Sequence, residues 1–174
     1  MKKKCTKCGE VKPLTLFSND KTRKDGHHPW CKKCLNNEMH KYRNTERGYL
    51  RMRYNSLNSE QRKSKCFFTF DELLAAWEKH KSIYGMKSAW GPGPDHLEQH
   101  LPMTMVLPRN SDKKAKRIRS NLSIDRLDNN LDYTIQNIIF IRGDENVRKR
   151  DTTYEDCKIQ IRLYEERFIN MNAI

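Results

Sequence analysis

Two sets of residues in this sequence have the types and spacing of chemical sites. The first is four cysteines in two Cys-x2-Cys pairs, Cys5 with Cys8 and Cys31 with Cys34, separated by 22 residues. This spacing suits chelation of one ion, and four thiolates suit tetrahedral Zn²⁺. A disulfide framework is the alternative, but the N-terminal residues lack the apolar stretch of a secretion signal, and reducing compartments disfavour disulfides. The pattern therefore predicts a structural zinc site.

The second set occupies residues 123–150 and offers oxygen ligands instead of sulfur. A short apolar stretch ends on the carboxylate of Asp125 and is followed by a polar, turn-rich loop. A second β-branched stretch at residues 138–141 leads into a basic segment that holds Asn146. This order predicts strand, loop, strand and helix. Such a unit could bring Asp125 and Asn146, 21 positions apart, onto one divalent cation, and oxygen ligands suit Mg²⁺ or Mn²⁺.

At these positions the chain resembles the HNH nucleases, the ββα-metal superfamily, in a variant common among phage proteins. The matching positions are Ser123, Asp125, Arg126, Asp128, Tyr133, Thr134, Asn137, Asn146, Arg148 and Lys149. Asp132 stands where that variant has glycine. The resemblance implies that Asp125 and Asn146 bind the catalytic metal. It also implies that Asn137 holds the loop in place by hydrogen bonds to the loop backbone.

One position departs from the usual family pattern, in which a histidine after the aspartate acts as the general base. Here that position is Arg126, and a guanidinium stays protonated and cannot accept a proton. The remaining candidates for the base are metal-acidified water and four side chains: His96, His100, Asp128 and Tyr133. Arg126 could instead bind the scissile phosphate. Alternatively, Arg126 could pair with Asp125 and close the loop of a unit that keeps the fold without the chemistry.

The stretch between the two cysteine pairs is too short and polar to form a core of its own. It resembles the zinc-ribbon-like modules found at the front of phage HNH proteins. Residues 12–14, Phe17 and the Asp25-Gly26 turn carry this resemblance. We expect Phe17 and Trp30 to cover the metal site.

The formal net charge of +13 is concentrated in two blocks. Residues 1–66 hold 18 Lys and Arg against 6 Asp and Glu, and residues 109–151 hold 11 against 7. Such clustering favours a polyanion through counterion release, so nucleic acid is the first candidate partner, and a merely solvated surface is the alternative. The residues expected to contact phosphate are Lys41, Arg43, Arg47, Arg51, Arg53, Lys113, Lys114, Lys116, Arg117, Arg119, Arg148 and Lys149.

The expected fold class is α+β. A small zinc module over residues 1–40 is followed by a basic helix and linker over residues 41–65, with a break in the helix near Gly48. Residues 66–174 are expected to form an HNH-like ββα-metal domain with flanking helices. The polar character of residues 58–65 places the domain boundary in that linker.

Two flanking helices have recognisable start signals. Thr69 and Glu72 form a predicted capping box, with apolar residues following at helical spacing, which indicates a packing helix. Thr152 or Thr153 could cap a last helix. We expect this last helix to pack on the ββα unit, and a dimer surface is the alternative.

Together these features predict a metal-dependent DNA endonuclease, encoded by a phage, with structural Zn²⁺ and catalytic Mg²⁺ or Mn²⁺. It would nick one strand as a monomer or cut both strands as a homodimer. The alternative is a non-catalytic zinc-containing protein that binds DNA or a host complex on a degenerate HNH fold. RNA is a less favoured partner because no aromatic single-strand signature is present. No apolar run reaches bilayer length, so we expect a cytoplasmic protein of the bacterial host cell.

Overall fold

The computed structural model describes residues 1–91, 94–107, 118–149 and 158, with the backbone alone for 94–96. The described residues form a mixed α+β structure, as expected. The strands are β1 (Lys2–Lys4), β2 (Val11–Pro13), β3 (Phe17–Asn19), β4 (His27–Cys31), β5 (Leu122–Arg126) and β6 (Ile138–Arg142). The helices are α1 (Lys32–Arg43), α2 (Glu46–Leu57), α3 (Phe70–Tyr84) and α4 (Gly143–Lys149). Short 3₁₀ turns occupy Leu14–Leu16, Pro94–Gln99 and Ile135–Asn137.

Some of the predicted features lie outside the described residues. They are the last helix from Thr152 or Thr153, the side chain of His96, and the basic residues Lys113, Lys114, Lys116 and Arg117. Within the described ranges, no helix combines the length and apolar character needed to cross a membrane.

The N-terminal module consists of two small hairpins. Strand β1 pairs with β2, and β3 pairs with β4, both antiparallel. Its buried core contains only Cys5, Phe17 and Cys31, with Trp30 and Cys34 packed against it. A core of this size is too small to stabilise a fold alone, and small modules of this kind commonly depend on a metal ion.

Helices α1 and α2 meet at a short corner formed by Asn44 and Thr45, which agrees with the predicted break near Gly48. Thr45 caps α2 by accepting a hydrogen bond from Gly48 N at 3.1 Å. A Cβ on Gly48 would lie 1.9 Å from the Tyr42 carbonyl oxygen, which is far inside van der Waals contact. The corner therefore requires glycine at this position.

The main core is shared by α2, α3 and the β5–β6 hairpin. Its buried members include Tyr49, Leu50, Leu57, Phe70, Leu73, Trp77, Leu122, Ile124 and Phe140. The Tyr49 hydroxyl also donates to the Leu122 carbonyl at 3.0 Å. Helix α2 therefore packs in the same core as residues from 66 onward, and the linker at residues 58–65 does not separate two cores.

Helix α3 begins at the predicted capping box. The Glu72 backbone N–H donates to Thr69 Oγ1 at 3.2 Å, and Glu72 Oε2 accepts from the Thr69 backbone N–H at 2.7 Å. The reciprocal pair satisfies two N–H groups that a helix start leaves without partners. It fixes the start of the helix that carries Trp77 into the core.

Strands β5 and β6 pair antiparallel, with Ile124 opposite Phe140 and Asp125 opposite Ile139. Helix α4 follows β6 without a loop, so the predicted order of strand, loop, strand and helix is present. Because side chains alternate along a strand, the burial of Leu122 and Ile124 in the core sends Ser123 and Asp125 to the opposite face.

A histidine is buried next to this core. His80 is 6 % exposed and stacks between Trp77 and Tyr84, at ring-centroid distances of 4.9 and 5.2 Å. Its Nε2 lies 2.8 Å from the Lys87 carbonyl oxygen. Burial, with a smaller contribution from the nearby His100, lowers the pKa of His80 from 6.5 to about 4, against the opposing effect of the Lys87 carbonyl.

This depressed pKa predicts a loss of stability in acid. The unfolded chain binds a proton at His80 near pH 6.5, whereas the folded chain does so only near pH 4, so the stabilisation is complete above the higher value and is lost as pH falls. Between about pH 7 and about pH 5, urea unfolding should show a loss of roughly 2 kcal/mol from this residue. His80→Gln keeps a donor for the Lys87 carbonyl but does not titrate. Its free energy of unfolding should therefore lack this loss of roughly 2 kcal/mol between pH 7 and pH 5. Equal pH slopes in parent and variant would contradict the prediction.

Candidate metal centre and active site

The four cysteine sulfurs of the N-terminal module lie within 4.8 Å of one another. Cys31 ends β4 and Cys34 lies in the first turn of α1, so the strand-to-helix junction positions the second pair. The first pair is held by a tight turn in which Gly9, at φ +75°, donates from its N–H to the Cys5 carbonyl at 2.8 Å. A tetrahedral Zn–S site with bonds of about 2.3 Å places its sulfurs about 3.8 Å apart. The cluster could therefore hold a metal ion such as zinc.

The surroundings of these sulfurs shift the pKa values of Cys5 and Cys34 in opposite directions. Burial raises the pKa of Cys5, but backbone N–H groups of Cys31, Cys8 and Lys7 outweigh it and lower the value to about 6. Burial and the neighbouring sulfurs raise the pKa of Cys34 to about 12. The Lys12 ammonium lies 3.6 Å from Cys31 Sγ. Without a cation the four sulfurs cannot all ionise together, and a bound divalent ion removes that conflict.

Metal binding by the cluster can be tested by stoichiometry. The parent should bind one zinc ion per chain, and Co²⁺ should give the visible bands of a tetrahedral thiolate site. Cys8→Ser should lose most of the bound metal and unfold the N-terminal module, because the core there is so small. Cys66→Ser is the matched control, since Cys66 is a free cysteine outside the cluster. Full zinc occupancy in Cys8→Ser would show that the cluster is not the binding site.

In the ββα unit, the carboxylate of Asp125 forms an ion pair with Lys149 at the end of α4. Asp125 Oδ2 accepts a hydrogen bond from Lys149 Nζ at 3.0 Å. The same ammonium donates to the Arg126 carbonyl at 2.5 Å and approaches Asn129 Oδ1 at 3.4 Å. The Lys149 side chain is 1 % exposed. Lys149 was expected to contact phosphate, but its ammonium is buried against Asp125 and does not face solvent.

Asn146 contacts the same face of β5 at Ser123, two residues before Asp125. Its Nδ2 donates to Ser123 Oγ at 2.8 Å, and Arg53 of α2 donates to the same oxygen at 3.2 Å. Ser123 and Asp125 share one face of the strand, and Asn146 and Lys149 share one face of the helix. The structure thus brings Asp125 and Asn146 to one face of the hairpin and adds Arg53 and Lys149 to them.

Two side-chain oxygens at this face are of the chemical type that hard divalent cations bind, with one restriction. Among the described residues, neither Asp125 Oδ1 nor Asn146 Oδ1 accepts a hydrogen bond, and both are oxygen ligands of the type that Mg²⁺ and Mn²⁺ prefer. The restriction is that the other carboxylate oxygen carries the Lys149 ammonium. In the described ranges, the four cysteines are the only cluster of three or more His, Cys, Asp or Glu side chains with the geometry of a metal site. A cation at Asp125 would therefore share or replace the ion pair.

Arg126 closes the loop between β5 and β6 instead of pairing with Asp125. Its Nη1 donates to the Leu131 carbonyl at 2.7 Å and to Ser64 Oγ at 2.8 Å. The guanidinium lies over the Tyr133 ring at 5.2 Å, and the Tyr133 hydroxyl accepts from Arg62 at 3.1 Å. The Asp125–Arg126 ion pair considered from the sequence is not formed, because Asp125 pairs with Lys149.

Asn137 makes the backbone contacts that the resemblance implies. Its Oδ1 accepts from the Asp128 N–H at 2.9 Å, and its Nδ2 donates to the carbonyls of Asp128 and Asp132 at 3.0 and 2.9 Å. With 6 % exposure it lies inside the loop. Its contacts hold the loop in position.

The histidine proposed as a surrogate base is a packing residue. His100 is 2 % exposed, and its Nδ1 lies 2.7 Å from the Ser88 carbonyl oxygen. Its ring contacts Tyr84, and a Cβ on Gly91 would lie 2.7 Å from that ring. These contacts come from the end of α3 and from the segment that follows it, so His100 is enclosed away from solvent and is poorly placed to accept a proton from water.

The residues expected to contact phosphate differ in exposure. Those that are exposed are Lys41, Arg43, Arg47, Arg119 and Arg148. Arg51 is half-buried with its guanidinium 3.3 Å from the centre of the Phe70 ring, and Arg53 is half-buried at Ser123. The exposed set is therefore the part of this group that a phosphate backbone can reach directly.

Sequence reasoning missed the roles of Lys149 and Arg53 at the Asp125 face. Lys149 lies three positions after Asn146, so helical spacing alone could have placed the two side chains on one face. Arg53 had no comparable signal, because its approach to Ser123 depends on how α2 packs across the hairpin.

Comparisons with known proteins gave no relative: no family model, no curated protein and no solved structure matches this chain.

The buried ion pair at Asp125 has a measurable energetic consequence. Asp125→Ala would leave a buried ammonium without its counter-ion, and we expect a loss of about 3–5 kcal/mol in the free energy of unfolding. Adding Lys149→Met removes the stranded charge and should recover most of that loss. Arg148→Met, at the exposed neighbouring position, should recover none. Urea unfolding is measured for the parent, for Asp125→Ala and for the two double variants. If Asp125→Ala and its combination with Lys149→Met were equally stable, a significant ion pair would be excluded.

Proposed function

We propose that this protein is a metal-dependent endonuclease that hydrolyses phosphodiester bonds in DNA. The observation that carries the proposal is the placement of Asp125 on β5 and Asn146 on α4 at one face of a strand-loop-strand-helix unit. Their order and spacing resemble those of the HNH motif. The loop contacts of Asn137 are consistent with the same architecture.

In this proposal, Asp125 and Asn146 would hold Mg²⁺ or Mn²⁺ through their side-chain oxygens. When bound, the cation would supply charge stabilisation to the phosphate and to the leaving oxygen. Arg53, beside Ser123, would direct a guanidinium at a phosphate oxygen. Arg126 would position the loop and not act on substrate, because its Nη1 is engaged by Leu131 and Ser64.

DNA is the proposed substrate because exposed cations lie on the two helices that connect the zinc module to the main core. Helix α1 carries a zinc-module cysteine at one end and contacts the main domain at the other. There His40 Nε2 lies 3.2 Å from the Leu107 carbonyl oxygen, and Asn44 Oδ1 accepts from the Leu107 N–H at 2.7 Å. The exposed Lys41, Arg43 and Arg47 lie at this junction. Their charge would hold a phosphate backbone beside the ββα unit.

Nicking of supercoiled plasmid tests the proposal. With Mg²⁺ or Mn²⁺ the parent should produce open circles, and Asp125→Asn and Asn146→Ala should each reduce the rate by more than about 100-fold, because even outer-shell partners of metal ligands are worth 10–100-fold. Asn55→Ala, on an exposed asparagine of α2, is the matched control and should nick like the parent. All proteins are compared at equal zinc content and with DNA binding measured in parallel. Parent protein that binds plasmid and leaves it intact in both metals would refute the nuclease.

A second candidate has its own supporting observation. The Lys149 ammonium already balances Asp125, and among the described residues no hydrogen bond joins a histidine side chain to Asp125 or Asn146. These features favour a non-catalytic zinc-containing protein that uses the same surfaces to bind DNA or a host complex. DNA binding without cleavage, unchanged in Asp125→Asn, would support this candidate, and competition with RNA would separate the two nucleic acids.

A further inference from the structure

We propose that Lys149 is an internal competitor of the divalent cation for the carboxylate of Asp125. The inference rests on the proposed function, since it concerns how the same site is loaded with metal. In the free protein the ammonium would neutralise Asp125 and hold the affinity for Mg²⁺ or Mn²⁺ low.

The contacts of Lys149 are those of a complete cation site. An ammonium has three N–H donors, and three oxygens surround this one: Asp125 Oδ2 at 3.0 Å, the Arg126 carbonyl at 2.5 Å and Asn129 Oδ1 at 3.4 Å. A carboxylate, a backbone carbonyl and a side-chain amide oxygen are also the ligand types that hard divalent cations use in proteins. The chain therefore places its own positive charge where an oxygen-rich environment favours one.

Burial makes this competition strong. The side chains of Lys149 and Asp125 are 1 % and 12 % exposed, so water screens the pair weakly. A divalent ion on Asp125 Oδ1 would lie close to the ammonium and be repelled by it. Release of this buried ammonium from Asp125 would require another anion to replace the carboxylate as its partner. A DNA phosphate entering the site is such an anion, and its arrival would release the carboxylate for the metal.

Arg148 provides a matched control for this effect. It precedes Lys149 on α4, carries the same charge and is exposed. Replacing either residue with methionine removes one positive charge from the last turn of the helix. Only the Lys149 replacement removes a contact with Asp125, so the difference between the two variants isolates that contact from general electrostatics.

The test is Mn²⁺ titration of the zinc-loaded protein, with free Mn²⁺ followed by electron paramagnetic resonance. Lys149→Met should bind Mn²⁺ at least about tenfold more tightly than the parent, whereas Arg148→Met should stay within about threefold. Lys149→Gln provides a second, polar variant, and circular dichroism verifies that each protein is folded. Adding Asp125→Asn to Lys149→Met should abolish the tight site.

Several results would overturn the proposal. They are equal affinities in Lys149→Met and Arg148→Met, weaker binding in Lys149→Met and Lys149→Gln than in the parent, and tight binding that survives Asp125→Asn. The plasmid assay separates this proposal from the proposed function. Tighter Mn²⁺ binding in Lys149→Met without cleavage by any variant would leave the competition standing and refute the nuclease. If Lys149→Met bound Mn²⁺ no more tightly than the parent and the parent nicked plasmid, the competition would be refuted and the nuclease supported.

Discussion

Side-chain alternation along β5 is the constraint on which both the core and the candidate site depend. Leu122 and Ile124 enter the core formed with α2 and α3, and this sends Ser123 and Asp125 to the face covered by α4. A register slip of one residue would move the carboxylate into the apolar core and the isoleucine onto the polar face under α4. The hydrogen bond from Tyr49 to the Leu122 carbonyl ties this register to α2. The apolar contacts that stabilise the core therefore also place Ser123 and Asp125 on the face covered by α4.

The helix α4 shows how polar contacts hold an element with little apolar surface. Asn146 and Lys149 fix it to Ser123 and Asp125, and Glu145 accepts hydrogen bonds from the buried Ser88 hydroxyl and from the Arg142 N–H. Buried polar groups of this kind contribute modestly when they are satisfied and are costly when one partner is removed. The arrangement gives the candidate site a defined geometry at the expense of tolerance to substitution.

Local signals in the sequence were sufficient for features that depend on local chemistry. The two Cys-x2-Cys pairs predicted the sulfur cluster, Thr69 and Glu72 predicted the start of α3, and Gly48 marked the corner between two helices. The strand-loop-strand-helix order followed from hydrophobic pattern. Contacts between distant elements could not be predicted from the hydrophobic pattern. A basic residue on a polar helix face gives the same sequence pattern whether it is exposed, as Arg148 is, or buried, as Lys149 is. His100 lay in a proline-rich stretch without periodicity, so its enclosure by Ser88, Tyr84 and Gly91 could not be read from the sequence.

Helix α1 joins the cysteine cluster to the main core without a flexible segment. Cys34 lies in its first turn, and Asn44, at its C-terminal end, bonds Leu107 of the main domain. Its 12 residues span about 18 Å at a rise of about 1.5 Å per residue. This helix thus fixes both the distance and the rotation about its axis between the cysteine cluster and the main core. Insertion of one residue in α1 would rotate the zinc module by about 100° around the helix axis. The zinc module and the main core could therefore be exchanged between proteins only if the number of helical residues between them kept the same rotation.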